Sequence, residues 1–336
     1  MTGHVQIGLG LQSDKRDGEY AALAALAEHH GFDVISVYGD LLFQPPIYPL
    51  LEIARATSRI RLGAACWNPY SMHPYEIAGQ VAALQQASGS RAYLGLARGS
   101  WLSAIGLRQD RPVAHLREAV QVIRALLRGD GEGVDGAVFR LAAGTRLRYR
   151  LPGALPPLLI GTWGPATAAM AGELADEVKI GGTANPAMIG VMRQRLAPGL
   201  AAADRPDDAV GVVVGAVTVV DEDGAAARAR ARTEVAMYIA VVARLDPTLE
   251  LPPDLLAEIA RYVDAGEHER AGRLIPDDVL DLFAFAGTPD QVAAQAQRLI
   301  EAGASRIEFG TPHGLTGRAG IELLGRAVLP RLDLPG

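Results

Sequence analysis

Sulfur, aromatic rings and positive charge are all in short supply in this chain. Cys66 is the single cysteine in 336 residues, so no disulfide can close within the chain, and a reducing compartment is expected. Thirty-two Lys and Arg stand against 38 Asp and Glu, a formal net charge of -6, which excludes the basic footprint that nucleic-acid phosphates require. No apolar run is long enough to span a bilayer; the longest, residues 209–220, has the length of a buried strand. The start runs into Val5-Gln6-Ile7-Gly8-Leu9 without a basic region or an apolar leader, so a cytoplasmic location is expected. The seven histidines form no H-x-x-x-H or H-E-x-x-H pattern, and metal binding is not expected. No G-x-S-x-G elbow and no Walker A loop is present either. With neither nucleophile nor metal, a bound redox cofactor becomes the economical source of reactivity.

What the chain has is Ala, Leu and Val. Hydrophobic residues make up 49% of it and aromatics only 5%, a composition suited to helices packed on a Val/Leu-rich sheet. Strand patterns alternate with helix patterns. Strands are expected at Val5–Leu9, Val34–Tyr38, Ile60–Cys66, Arg91–Leu96, Leu158–Gly161, Glu177–Ile180, Val212–Val220 and Arg306–Phe309. Helices follow each, among them Asp17–His30, stopped by Gly31, and Pro112–Leu127, with proline in the first turn where its missing N–H costs nothing. The Gly/Arg/Pro-rich stretch 129–156 reads as an excursion with a short hairpin. A long segment, about 225–282, reads as helical throughout, broken at Pro252-Pro253. Eight strand–helix units predict an α/β fold, a (β/α)8 TIM barrel with a helical insertion after strand seven, forming one domain over 1–336. A doubly wound open sheet is the runner-up, disfavoured because Gly8-Leu9-Gly10 gains no third glycine for a dinucleotide fingerprint.

In such barrels the site lies at the C-terminal ends of the strands. The sequence then nominates Gly10 and Gln12; Tyr38, Gly39 and Asp40; Cys66, Trp67 and Asn68; Arg98, Gly99, Ser100 and Trp101; Gly161, Thr162, Trp163 and Gly164; Gly181, Gly182 and Thr183; and Thr311, Pro312 and His313. The two glycine-rich turns read as an anion cradle at a strand-to-helix junction, against plain turn geometry. Asp40 reads as an acceptor for a ligand N–H or hydroxyl, against capping of the next segment. Trp67 is a stacking wall for a planar ring or barrel-mouth packing. Cys66 is expected to be inert, His73 to cap a helix, and Lys179, Arg306 and Glu308 to form a structural charge cluster. His313 is placed where it could reach a ligand.

Leu62-Gly63-Ala64-Ala65-Cys66-Trp67-Asn68-Pro69-Tyr70-Ser71-Met72-His73-Pro74 resembles the third-strand segment of the luciferase-like flavin/deazaflavin superfamily. Arg91 to Gly99, Ile160 to Pro165 with Ala171 to Asp176, Ala286 to Asp290 and Phe309 to Gly314 carry the likeness along almost the whole chain. Within it, the chain looks like the methylenetetrahydromethanopterin reductase-like branch that uses coenzyme F420, an 8-hydroxy-5-deazaflavin. The resemblance implies a deazaflavin stacked on a strand-three bulge with a non-prolyl cis peptide, which by position falls at Ala65-Cys66. It implies that Asp40 and Asn68 contact the cofactor head, and that Gly161–Gly164 and Gly181–Thr183 hold its phosphate. Arg98 is the candidate cation for the anionic oxidised ring. The activity implied is F420-dependent hydride transfer to or from a small organic substrate, in a homodimer built on helices near strands two and three. FMN as cofactor of a monooxygenase, or a non-catalytic flavin-binding barrel, are the alternatives. Where many relatives carry an acid, a histidine and a glutamate, this chain has Gly10, Leu41 and Ser100, which leaves the proton donor unassigned.

Overall fold

The computed structural model describes residues 5–334. Its strands, in chain order, are β1 Gln6–Leu11, β2 Val34–Val37, β3 Arg61–Ala64, β4 Leu94–Ala97, a small hairpin β5 Val134–Asp135 and β6 Arg140–Leu141, then β7 Leu158–Gly161, β8 Glu177–Gly181, β9 Gly211–Val220, β10 Ala284–Gly287 and β11 Arg306–His313. The helices are α1 Glu19–His29, α2 Ile47–Ala56, α3 Pro74–Ala87, α4 Pro112–Arg128, α5 Pro165–Leu174, α6 Ala187–Ala202, α7 Gly224–Val242, α8 Pro253–Asp264, α9 His268–Arg273, α10 Asp277–Leu280, α11 Pro289–Glu301 and α12 Gly317–Leu323.

The large sheet runs β3-β2-β1-β11-β9-β8-β7-β4, every pairing parallel. Bridges Leu62–Ala92 and Trp67–Leu96 join its two ends and close a (β/α)8 barrel. Helices start where proline can occupy the first turn without losing a hydrogen bond: α3, α4, α5, α8 and α11 all do so. The main core lies between strand outer faces and these helices, filled by residues such as Leu9, Ile35, Leu62, Leu96, Ile160 and Ile180. A second core joins α7 to α10 around Val235, Ile239, Ile259 and Phe283.

The structure adds one strand and lengthens another. The segment after β9 is helical up to α10, and beyond residue 282 follows a strand the sequence did not predict, β10, which pairs with Val217–Val220 of β9. Its run of four residues is too short to declare a period, so the sequence leaves it silent. Barrel strand eight continues past Phe309 to His313 through a register shift after Gly310, carrying a cis Thr311–Pro312 peptide.

Candidate active site at the barrel mouth

Alternation along each strand sends every second side chain into the barrel. Gly8 and Gly10 of β1 and Gly215 of β9 leave that interior open, and a charged column occupies it. Lys179 of β8 pairs with Glu308 of β11, both buried. Ser36 of β2 donates to the other Glu308 oxygen, and the Tyr93 hydroxyl lies 2.8 Å from Ser36 Oγ and 3.0 Å from the Gly63 carbonyl oxygen. Burial works to raise the Glu308 carboxyl, yet Lys179, Arg306 and Ser36 together hold it below its ordinary value. Of the expected charge cluster, Lys179 and Glu308 are thus brought together. Arg306 instead pairs with Glu177 at 3.4 Å and lies 5.4 Å from the centre of the Tyr93 ring.

Above this column sits the mouth. Asp40 is solvent-accessible there, just past the end of β2. Its recessed position raises its carboxyl, offset by the nearby amide of Gln12 and the charge of Lys179. Gln12 Nε2 is buried and makes no full hydrogen bond to a described residue. Tyr38, half-buried, points inward: its hydroxyl occupies the volume a side chain on Gly10 would take, 2.0 Å from where that Cβ would stand. Lys179 Nζ lies 5.0 Å from the centre of its ring.

The third strand ends in a kink. The Ala65–Cys66 peptide is cis. Ala65 N–H still donates to Val37 (2.8 Å) and Trp67 N–H to Gly95 (2.9 Å), so the kink is held between both neighbouring strands. Gly95 has to be glycine here, because a Cβ would stand 2.0 Å from the Ala64 carbonyl oxygen. The Cys66 thiol is pushed up to about 12 by burial, which leaves it protonated and inert.

Several nominated side chains serve other ends. Trp67 is not a stacking wall: its ring is buried against α3 and its Nε1 donates to Gln80 at 3.0 Å. Thr183 and the amide of Gly182 do not complete an anion cradle. The Gly182 and Thr183 N–H groups donate to the Gly215 carbonyl at 2.7 and 3.3 Å, and the buried Thr183 hydroxyl donates to Leu282 at the end of the insertion. Gly181 offers its carbonyl to Trp163 Nε1 at 3.1 Å, tying two strand ends together. His313 is buried, reaches no ligand space, and has its ring nitrogen Nε2 3.0 Å from the Gly10 carbonyl oxygen. Since a carbonyl only accepts, Nε2 carries the proton, and burial drops the ring pKa to about 4. His73 caps α3, accepting from the Tyr75 amide at 3.1 Å.

The remaining candidates stay at the rim. Asn68 builds the turn after the kink by accepting from the amides of Tyr70 (2.8 Å) and Ser71 (3.2 Å), leaving its Nδ2 beside Gly99. Arg98 is exposed at the end of β4. Gly161 ends β7 and Thr162 follows it, with the Gly164 amide on Thr162 Oγ1 at 3.1 Å. Gly164 then leads into α5, whose first turn has no side-chain cap and so keeps amides free for an anion. The sequence missed Ser36 and Tyr93 as parts of the inner column. A serine inside the apolar run Val34–Val37 was the available signal. Surface clefts of about 660 and 540 Å³ lie elsewhere, along α4 and the β5–β6 hairpin, and along α7 and α9. Among the described residues no cluster of His, Cys, Asp or Glu suits a metal ion, and no helix is long and apolar enough to cross a membrane.

This geometry has relatives. The chain is 31% identical to the 5,10-methylenetetrahydromethanopterin reductase of Archaeoglobus fulgidus, over 98% of this chain and 100% of that one. It is 26% identical to the F420-dependent glucose-6-phosphate dehydrogenase of Mycobacterium avium, over 94% of each. The solved structure of the coenzyme F420-dependent tetrahydromethanopterin reductase from Methanopyrus kandleri superimposes with a TM-score of 0.87 at 25% identity, covering 98% of this chain and 100% of the other. The family model of luciferase-like monooxygenases matches residues 4–306. The chain belongs to the luciferase-like monooxygenase family.

Proposed function

We propose that this barrel is a coenzyme F420-dependent oxidoreductase, moving a hydride between C5 of the deazaflavin and a small organic substrate. The observation that carries the reading is the end-to-end likeness to an F420-dependent reductase, TM-score 0.87. The mouth fits such a ring. Gln12 Nε2 is a buried donor without a partner, and Asp40 beside it is an open acceptor; together they match the alternating carbonyl and N–H groups of a pyrimidine edge. The backbone of Ala65, Cys66 and Trp67 gives the ring a ledge. Asn68 Nδ2 and the Arg98 guanidinium are the remaining polar groups for its rim. Gly161, Thr162, Trp163 and Gly164, with the first amides of α5, are the groups for a phosphate, and Gly181 leaves the adjoining strand end bare. When bound, F420 supplies a two-electron carrier. The protein orients it, keeps a carboxyl at its polar edge and shields its lower face from water.

The chain is read as one domain acting as a homodimer in the cytoplasm. Leu42 (88% exposed), Tyr48 and Tyr75 leave apolar side chains in solvent around α2 and α3, which supports a second copy covering that side. A monomeric mass in gel filtration excludes it. The cofactor is tested by titrating purified protein with F420 and with FMN while following ligand fluorescence. Quenching of F420 at micromolar protein is expected; tight binding of FMN alone refutes the reading.

A further inference from the structure

Tyr38 is the feature of the mouth that the cofactor contacts above do not use. Its phenol lies inside the barrel at the level where the strands end, in the space left by Gly10 and close to Gly310. The hydroxyl makes no hydrogen bond with any described residue, although the neighbouring Ser36, Tyr93, Lys179 and Glu308 are all bonded to one another. Its hydroxyl is thus left available toward the mouth.

Resting on the F420 reading, we infer that Tyr38 is the proton donor for acceptors whose heteroatom must be protonated as hydride arrives: carbonyls, enones and imines. In the reduction of a carbonyl, hydride from the reduced deazaflavin forms the new C–H bond and the π electron pair moves onto oxygen. That oxygen takes the Tyr38 proton. The phenolate left behind faces the Lys179 ammonium, and regains a proton from water at the mouth. The groups around the phenol favour its protonated form, and the proton leaves only because the oxygen that has taken the electron pair is a stronger base than the phenolate. Glu308 of β11, Asp40 just past β2, Tyr93 just before β4 and Tyr238 of α7, with burial above all, keep the proton on Tyr38 well above neutrality. Lys179 of β8, at 5.0 Å from the ring centre, is the cation that faces it once it has left. The same placement explains why Gly10, Leu41 and Ser100 need not carry an acid.

The experiment compares wild type with Tyr38→Phe, which keeps the ring and removes only the hydroxyl. F420 affinity, read by fluorescence quenching, is expected to agree within threefold, and the melting temperature within a few degrees. With reduced F420 and a panel of ketones, enones and imines, kcat is expected to fall at least 100-fold with KM nearly unchanged. Wild-type kcat is expected to stay level from pH 6 to 9, while the residual rate of Tyr38→Phe falls as pH rises, because solvent then supplies the proton. Failure of the wild type to bind F420 removes the cofactor reading itself. Binding without turnover of any panel member, or turnover that Tyr38→Phe leaves intact, overturns the proton-donor role and spares the cofactor.

Discussion

Asp40 and Gln12 hold in small the conflict between stability and function at this mouth. A carboxyl raised by its surroundings binds its proton more tightly in the folded chain than in the unfolded one. Below the unfolded value of 3.8 both states are protonated and nothing is lost; as pH rises past it, the unfolded chain ionises first and the fold loses stability. Asp40→Asn is therefore expected to melt above wild type at pH 7, with the gain closing toward pH 3 in a series of melts. Asp40→Ala is expected to weaken F420 by about tenfold or more, since a hydrogen bond to a charged group contributes roughly 1.5–3 kcal/mol. Unchanged affinity in a fluorescence titration counts against the assignment. At this scale the sequence was readable by type but not by direction. Asp40 and Asn68 stand where the strand ends put them. Trp67 reads as a ligand wall until the kink turns its ring toward Gln80, and no spacing rule reports which way a residue faces after a kink.

Strands behave differently, because their inner faces share charge. Removing one partner of a buried pair leaves the other uncompensated, at a cost of roughly 3–5 kcal/mol. Lys179→Met is expected to lose about that much in urea unfolding, and Lys179→Met/Glu308→Gln less than Lys179→Met alone. A double variant as unstable as the sum of both single changes contradicts a direct pair. On β11, His313 adds an acid sensitivity. Its neutral ring is native, with a folded value of about 4 against 6.5. Its contribution is complete above 6.5 and drains as pH falls toward 4, by roughly 3 kcal/mol. His313→Asn, which tolerates the φ of 74° found there, is expected to flatten the loss between pH 7 and 5. Strand periods and prolines made the eight units legible from Val5 to Arg306. The extension of β11 and the whole of β10 were not, since both are completed by pairing with β9, a partner distant in sequence.

The insertion packs on the barrel through a core it shares with Val219 of β9 and with Ala284 and Ala286 of β10. That core centres on Val235 and Ile259, and polar ties to the barrel include Thr183 to Leu282 and Asn185 Nδ2 to Asp246 at 2.9 Å and Thr248 at 2.8 Å. Asn185→Ala is expected to speed amide hydrogen exchange across residues 243–282 while leaving β1 and β2 protected. Equal acceleration everywhere instead points to global destabilisation. Length and composition suggested this helical segment; they were blind to how it is fastened, because a lone Asn and a distant Asp carry no shared pattern.

Along one edge of β9, β8 pairs with the first half, Gly211–Gly215, and β10 with the second, Val217–Val220. The upper wall of the mouth on that side is thus built by backbone that arrives some seventy residues later in the chain. Its two seams lie in regular strand, held by backbone hydrogen bonds that every residue but proline can make. Exchanging the segment between them redraws the entrance over Gly182, where Tyr238 of α7 packs, while the Lys179–Glu308 pair and the kinked ledge come from other strands.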